Sequence, residues 1–251
     1  KAAAPHVADP DLEIGERIYR AVEATREAVG CNTNLGIVLL AVPLIHAAQH
    51  CMPGDILAHR LQRSLAALTR DDAEWVYRAI RLAAPGGLGE SPRHDVRETP
   101  VVTLLEAMRE AAARDRIAYQ YTHCYADILG PGLISLHQGR MHWGSETAAV
   151  TTAYLGFLAS FSDSHIWRKH GSSAAGAVRT MAFDCIARLG QCADWTCAKT
   201  HLTGLDTTLK STGFNPGTSA DLTVAAWLAD QLLHGEGTCI PNHTQGDSQF
   251  V

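Results

Sequence analysis

Aromatic residues make up only 6% of this 251-residue chain, too few for a sheet core built from aromatic and β-branched side chains. The alanine runs Ala2 to Ala4 and Ala111 to Ala113 point instead to close-packed helices. No block of lysine and arginine is long enough to track a phosphate backbone, and the formal charge is -5. That argues against a nucleic-acid partner and leaves small anionic ligands open. No apolar run reaches the roughly 18 residues that cross a bilayer. The longest, Ile37 to Ala48, is interrupted by Pro43 and His46 and reads as a buried helix, so no membrane partner is expected. The first residues lack the apolar core of a signal peptide. The seven cysteines, Cys31, Cys51, Cys124, Cys185, Cys192, Cys197 and Cys239, are odd in number and scattered through helical stretches. They read as reduced thiols of a cytoplasmic protein. A Walker loop, a G-x-G-x-x-G after a strand, a G-x-S-x-G elbow and an H-E-x-x-H pair are all missing.

What is present is ample for a core, with 46% hydrophobic and 19% charged residues. Apolar spacing at three and four residues predicts an all-α single domain over 1–251, with about eight or nine helices. The first is expected from Glu13 to Ala28, with Ile14, Ile18, Val22 and Val29 inside and Glu13, Glu16, Arg17, Glu23 and Arg26 outside. A break at Gly30 precedes a central apolar helix that Asn32 or Asn34 starts. Helices Ile56 to Ala67 and Ala73 to Ala83 follow, the second behind the cap at Thr69 to Asp72. After a Gly/Pro-rich loop from Ala84 to Pro100, one long helix is expected from about Val102 to Ile128, then a connection through Pro131 and Gly132. Glu146 to Ala159, helices starting near Ser164, Ala174 and Ala193, and Ser219 to His234 complete the set. The tail 235–251 is expected to fray.

Four polar clusters lie at predicted helix starts or in the long loop. In Asn215-Pro216-Gly217-Thr218-Ser219-Ala220-Asp221, a rigid turn opens into a helix carrying a carboxylate on its first turn. Free N–H groups there suit phosphate, although Thr218 with Asp221 also fits a capping box. Asn32, Thr33, Asn34 and Gly36 put two carboxamides and a hydroxyl before an apolar helix, with room for close approach at the glycine. Asp163 to Gly171 holds a carboxylate, His165, Arg168, Lys169 and His170. A helix from Ser164 sets His165 and Lys169 on one face, while an exposed helical turn capped by Asp163 explains the cluster equally well. His94 beside Asp95 could act as a general-base pair, or be plain surface loop. Cys197-x3-His201 and Cys239-x3-His243 have the helical spacing of zinc ligands, or are thiols of apolar helices.

Taken in order, N-T-N-L-G at Asn32 to Gly36, the Gly-rich loop at Gly86 to Gly89, D-S-H-I-W-R-K-H-G from Asp163 and N-P-G-T-S-A-D-L from Asn215 resemble the triphosphoribosyl-dephospho-CoA synthase family, the CitG and MdcB type. The resemblance spans roughly Glu13 to Leu233. It implies an all-α pentosyltransferase in which ATP gives up adenine and its triphosphoribosyl group joins the ribose 2′-hydroxyl of dephospho-CoA. Decarboxylase-associated members carry N-T-H-K-G where this chain has Asn34 and Leu35, so one cation near the phosphates is missing. Family members also begin with a P-K-P-G-x-V segment and a His/Asp-Met element that this chain lacks, so a start after that motif is expected. N-T-N-L-G with R-K-H-G resembles the branch of methanogens and of methylotrophs that use tetrahydromethanopterin, which implies phosphoribosyl transfer in assembling that cofactor.

The implied chemistry displaces adenine from ATP, or pyrophosphate from phosphoribosyl pyrophosphate, with an alcohol acceptor. It needs neutralised phosphates, carboxylates near the sugar and a base for the alcohol. Asp163 and Asp221 are expected to hold Mg2+ and to serve the reacting centre. Arg168 and Lys169 would pair with phosphate oxygens, helped by backbone N–H groups after Gly217, Thr218 and Ser219. Asn32, Thr33, Asn34, Gly36 and Asn215 would receive ribose or base, and the base is His165, His170 or His94. A homo-oligomer is possible. The other reading is a noncatalytic helical protein that binds a nucleotide or phosphate ligand.

Overall fold

Tyr121 and Tyr125 show how the centre of the molecule is built. Pro43 lies inside the helix Leu35–Gln49 and has no N–H to give the Leu39 carbonyl four residues back. The buried Tyr121 hydroxyl donates to that carbonyl at 2.6 Å, and Tyr125 donates to Leu40 O at 3.1 Å. A proline that would orphan a buried acceptor is thereby tolerated.

The computed structural model describes residues 1–31, 34–52, 54–86 and 93–234. Among them there is no strand, and the order is α1 (Ala4–Val7), α2 (Ile14–Val29), α3 (Leu35–Gln49), α4 (Leu57–Ala66), α5 (Arg70–Ala83), α6 (Leu104–Ala111), α7 (Arg116–Thr122), a π-helical turn (Ile128–Gly132), α8 (Leu133–Trp143), α9 (Glu146–Ser160), α10 (Ser164–Leu189), α11 (Trp195–Ser211) and α12 (Gly217–His234). They form one body. The main core joins α2, α3, α5, α7 and α12 through residues such as Ile18, Leu40, Val76, Tyr121 and Leu222. Two smaller clusters seat the outer layer: Leu158, Ile166, Val178 and Leu209 in one, and Leu155, Cys185, Leu189, Cys192 and Ala198 in the other.

Among the described residues twelve α-helices replace the eight or nine expected: α1 and α8 are additional, and the stretch from Val102 to Ile128 is not continuous. Thr103 caps α6 in a capping box with Glu106. Asp115 then accepts N–H bonds from Ile117 and Ala118 and restarts the chain as α7. Cys124 and Tyr125 take left-handed φ values of 49° and 59°. The expected connection at Pro131 and Gly132 is instead the π-helical turn, continuous with α8. Helix α8 mixes apolar and polar residues on all sides, with Ile134 and Met141 exposed, so it has no stripe for periodicity to find.

Three further expectations are corrected. Arg17 is 0% exposed rather than outside, because its guanidinium ties the Leu12 carbonyl and the Gln49 side chain, each at 2.6 Å. Val29 is exposed at the end of α2. Cys192 and Cys197 are joined as a disulfide rather than free, since the turn before α11 brings their Cα atoms to 5.5 Å. In α10, Gly171 sits at φ 86°, ψ 171°, a left-handed kink that separates the segment starting at Ser164 from the helix that follows. No helix of the described residues is long and apolar enough to cross a membrane. The tail 235–251 lies outside the described residues.

Candidate active site

A cavity of about 1020 Å3 opens where the starts of α3, α7, α10 and α12 face one another. Asn34, Leu35 and Gly36 line it from α3, Asp115 and Ile117 from α7, and His165, Trp167, Arg168 and Lys169 from α10. Asn215, Gly217, Thr218 and Asp221 line it from α12. The end of α5 and the following loop close it with Pro85, Gly86 and His94. Helix starts carry partial positive charge and unpaired N–H groups, so several facing one cavity favour an anion.

The starts are stitched together by side chains that reach from one helix start to another. The 0%-exposed carboxylate of Asp163 accepts His165 N at 2.9 Å and Ile166 N at 3.1 Å, and its other oxygen accepts Ser219 N and Ser219 Oγ, both at 2.8 Å. It therefore caps α10 and α12 together. Thr218 Oγ1 accepts from Ser164 Oγ at 3.0 Å and His165 N at 3.2 Å. Ser164 Oγ in turn accepts Arg116 N at 3.1 Å, which brings in α7.

These bonds bear on three expectations. Asp163 fills the roughly four acceptor positions of a carboxylate with protein donors, so no lone pair is left for Mg2+. The Thr218–Asp221 capping box does not form, because Thr218 serves α10 and Asp221 receives no hydrogen bond from the described residues. Ser219 is buried behind the wall with its N–H committed to Asp163, so it is not free for phosphate.

Asp221 is the distinctive group of the cavity. Burial pushes its carboxyl up to about 7, and the anionic Asp163 and Asp115 push the same way against Arg168. Its place depends on Gly36: a Cβ there would stand 2.5 Å from Asp221 Cγ and 2.9 Å from Ile117 Cδ1, so only glycine lets α3 approach.

Around it, Arg168 Nη1 donates to Asp115 Oδ2 at 3.1 Å, while Arg168 Nε and His165 Nε2 are buried without partners. Burial, then the cations Lys169 and Arg168, hold the His165 imidazole below its usual range, so it is neutral at pH 7. Lys169 reaches across to the loop, its Cε 2.8 Å from where a Gly86 Cβ would stand. Asn34 is oriented by donating to Thr25 Oγ1 at 3.0 Å.

Of the residues singled out from sequence, Asn34, Gly36, His94, His165, Arg168, Lys169, Asn215, Gly217, Thr218 and Asp221 share this cavity, with Asp163 and Ser219 supporting it from behind. His170 does not join them. It is exposed and packs edge-on to Phe214 at 5.1 Å. Asn32 and Thr33 lie outside the described residues. Asp115 and Trp167 were missed, as were Arg26, Arg93 and Arg114, which also line the wall. Asp115 was legible as an N-cap type between two arginines, but an expected continuous helix concealed it.

Residues 1–239 match the family model described as CitG: ATP:dephospho-CoA triphosphoribosyl transferase. No curated protein matches significantly. A crystal structure from Archaeoglobus fulgidus, provisionally described as a triphosphoribosyl-dephospho-CoA synthase, is 23% identical over 94% of this chain and 96% of that one, with a TM-score of 0.71. At that identity the likeness is one of fold.

Proposed function

Because the chain belongs to the CitG family of ATP:dephospho-CoA triphosphoribosyl transferases, we propose that the cavity carries out triphosphoribosyl transfer from ATP to an alcohol of the dephospho-CoA type. The observation that carries this reading is the meeting of several helix starts with the unbonded Asp221 and the cations Arg168 and Lys169 in one space. Its volume of about 1020 Å3 lies at the upper end of the usual range of ligand pockets, roomy enough for a nucleotide.

Adenine departure develops positive charge on the ribose, which an adjacent carboxylate stabilises. Asp221 is a cavity carboxylate that receives no competing hydrogen bond from the described residues. Lys169 and Arg168 pair with the donor phosphates, and the α3 start with Asn34 faces the sugar or base. His165 accepts the acceptor hydroxyl's proton, because its neutral ring and unpartnered Nε2 fit a general base. His94 also lines the cavity, from the loop after α5.

Asp221 and Asp115 both line the cavity, and their hard carboxylate oxygens are of the type that suits Mg2+. Asp221 and Asp115 would hold it, and it would supply charge neutralisation on the phosphates. Asn34 and Leu35 in place of the decarboxylase-associated pair support an acceptor other than dephospho-CoA, such as one in tetrahydromethanopterin-type assembly, and phosphoribosyl pyrophosphate as the donor fits the same cavity.

The test is adenine release, followed by chromatography, from ATP with Mg2+ and dephospho-CoA. Release that Asp221→Asn abolishes supports the reading. Calorimetric ATP binding with no adenine or pyrophosphate released from either donor overturns it in favour of a noncatalytic nucleotide-binding protein.

A further inference from the structure

We propose that Cys192, Cys197 and His201 form a binding site for a thiophilic divalent cation of the zinc class, apart from the transferase cavity. Asp194 caps α11, its Oδ1 accepting Cys197 N at 2.8 Å, which fixes Cys197 in the first helical turn. His201 follows four residues later and so lies on the same face. The turn before the helix returns Cys192 to the same spot, and the two sulfurs and an imidazole nitrogen all lie within 4.8 Å of one another. Tetrahedral zinc, with Zn–S near 2.3 Å and Zn–N near 2.0 Å, sets its ligand atoms roughly 3.5–3.8 Å apart, so the two sulfurs, bonded to each other here, must part on reduction while the imidazole stays within reach.

The surroundings favour metal over three idle side chains. A thiol in the first turn of a helix has its thiolate stabilised. Cys192 is buried, His201 half-buried and Cys197 exposed, which gives the inner anchor and the open fourth position of a three-ligand site. Trp143 and Trp195, 5.2 Å apart, pack with Leu189 and Ala198 in the same apolar cluster. None of the three ligands lines the transferase cavity. The site clamps the α10–α11 turn, where the small outer clusters hold α11.

The structure holds Cys192 and Cys197 as a disulfide, so the metal-binding form is the reduced one. A phosphine or dithiol reductant supplies two electrons, two protons complete the thiols, and these protons leave as the sulfurs bind the cation.

The experiment titrates Co2+ and then Zn2+ into the full chain kept reduced with a phosphine. One Co2+ per chain is expected, with thiolate-to-cobalt charge transfer and tetrahedral visible bands, displacement by Zn2+, and a rise in Tm. Cys192→Ser, Cys197→Ser and His201→Ala should each weaken binding by at least ~10-fold, whereas Cys185→Ser leaves it unchanged. Because His201 is partly exposed, His201→Ala decides the matter if a cysteine variant misfolds. Absent charge-transfer bands in the reduced wild-type chain, or affinity unchanged in His201→Ala, overturn the proposal.

Discussion

Asp163 accepts the Ser219 amide N–H at 2.8 Å across 56 positions of sequence, so one carboxylate closes the start of its own helix and that of another. This bond places Asp221, two residues beyond Ser219, beside His165 and Arg168 in the cavity.

Asp163→Ala removes the acceptor of four buried donors, of which Ile166 N, Ser219 N and Ser219 Oγ have no other among the described residues, while His165 N keeps Thr218 Oγ1. Stability should fall by about 3 kcal/mol, the sum of a lost cap and charged hydrogen bonds, read as a lower urea midpoint. If instead the midpoint holds and activity alone disappears, Asp163 contacts substrate or metal.

Asp221 should make the free protein less stable as pH rises. Its folded pKa, about 7, lies above that of an unfolded aspartate, so between roughly pH 4 and 7 the folded chain keeps a proton that the unfolded chain has lost. The stability benefit is whole below about pH 4 and is lost as pH passes 7. Asp221→Asn should flatten this decline and be at least as stable as wild type at pH 8, while losing transfer activity. Urea midpoints at pH 5 and pH 8 for both proteins check the sign.

Mg2+ binding requires ionised Asp221, so at pH 6 it should expel a proton. Calorimetry in two buffers of different ionisation enthalpy would show that release, with affinity rising toward pH 8. Asp221→Asn should bind weakly and release none.

Gly36→Ala forces a methyl into Asp221 Cγ and Ile117 Cδ1. Overpacking of this kind costs about 1–3 kcal/mol, and activity should drop with it. In Gly36→Ala/Asp221→Ala the stability should return while transfer stays absent. If the double variant is no more stable than Gly36→Ala, the clash is not with Asp221.

Tyr121→Phe strips the Leu39 carbonyl of its donor and should cost about 1–3 kcal/mol. With Pro43→Ala in the background, an amide N–H becomes available four residues on, and the cost of Tyr121→Phe should shrink. Equal costs in both backgrounds would show that the proline and the tyrosine are independent.

Much of the helical framework was legible because its signs are local. Thr69 with Asp72 caps α5 as read, Gly30 ends α2 in a left-handed turn, and the starts at Ser164 and near Ala174 are the two sides of the Gly171 kink. Part of the cavity's polar lining was legible too, since Asn34, Gly36, His165, Arg168, Lys169 and Asp221 were each marked by a polar cluster at a helix start. Where a long helix seemed continuous, the Asp115 restart was hidden, because an Asp inside a periodic run reads as surface until its hydrogen bonds are seen.

By itself the sequence determined the helices, their order and the residue types at their starts, since capping and periodicity act over three or four positions. Tertiary structure alone decided which start each polar group serves. Asp163 closes α12, Thr218 serves α10, Asp221 receives no hydrogen bond from the described residues, and Arg17 is drawn inside by Leu12 and Gln49. A buried donor or acceptor is satisfied by whatever packing brings within about 3 Å, and sequence distance places no limit on where that partner comes from.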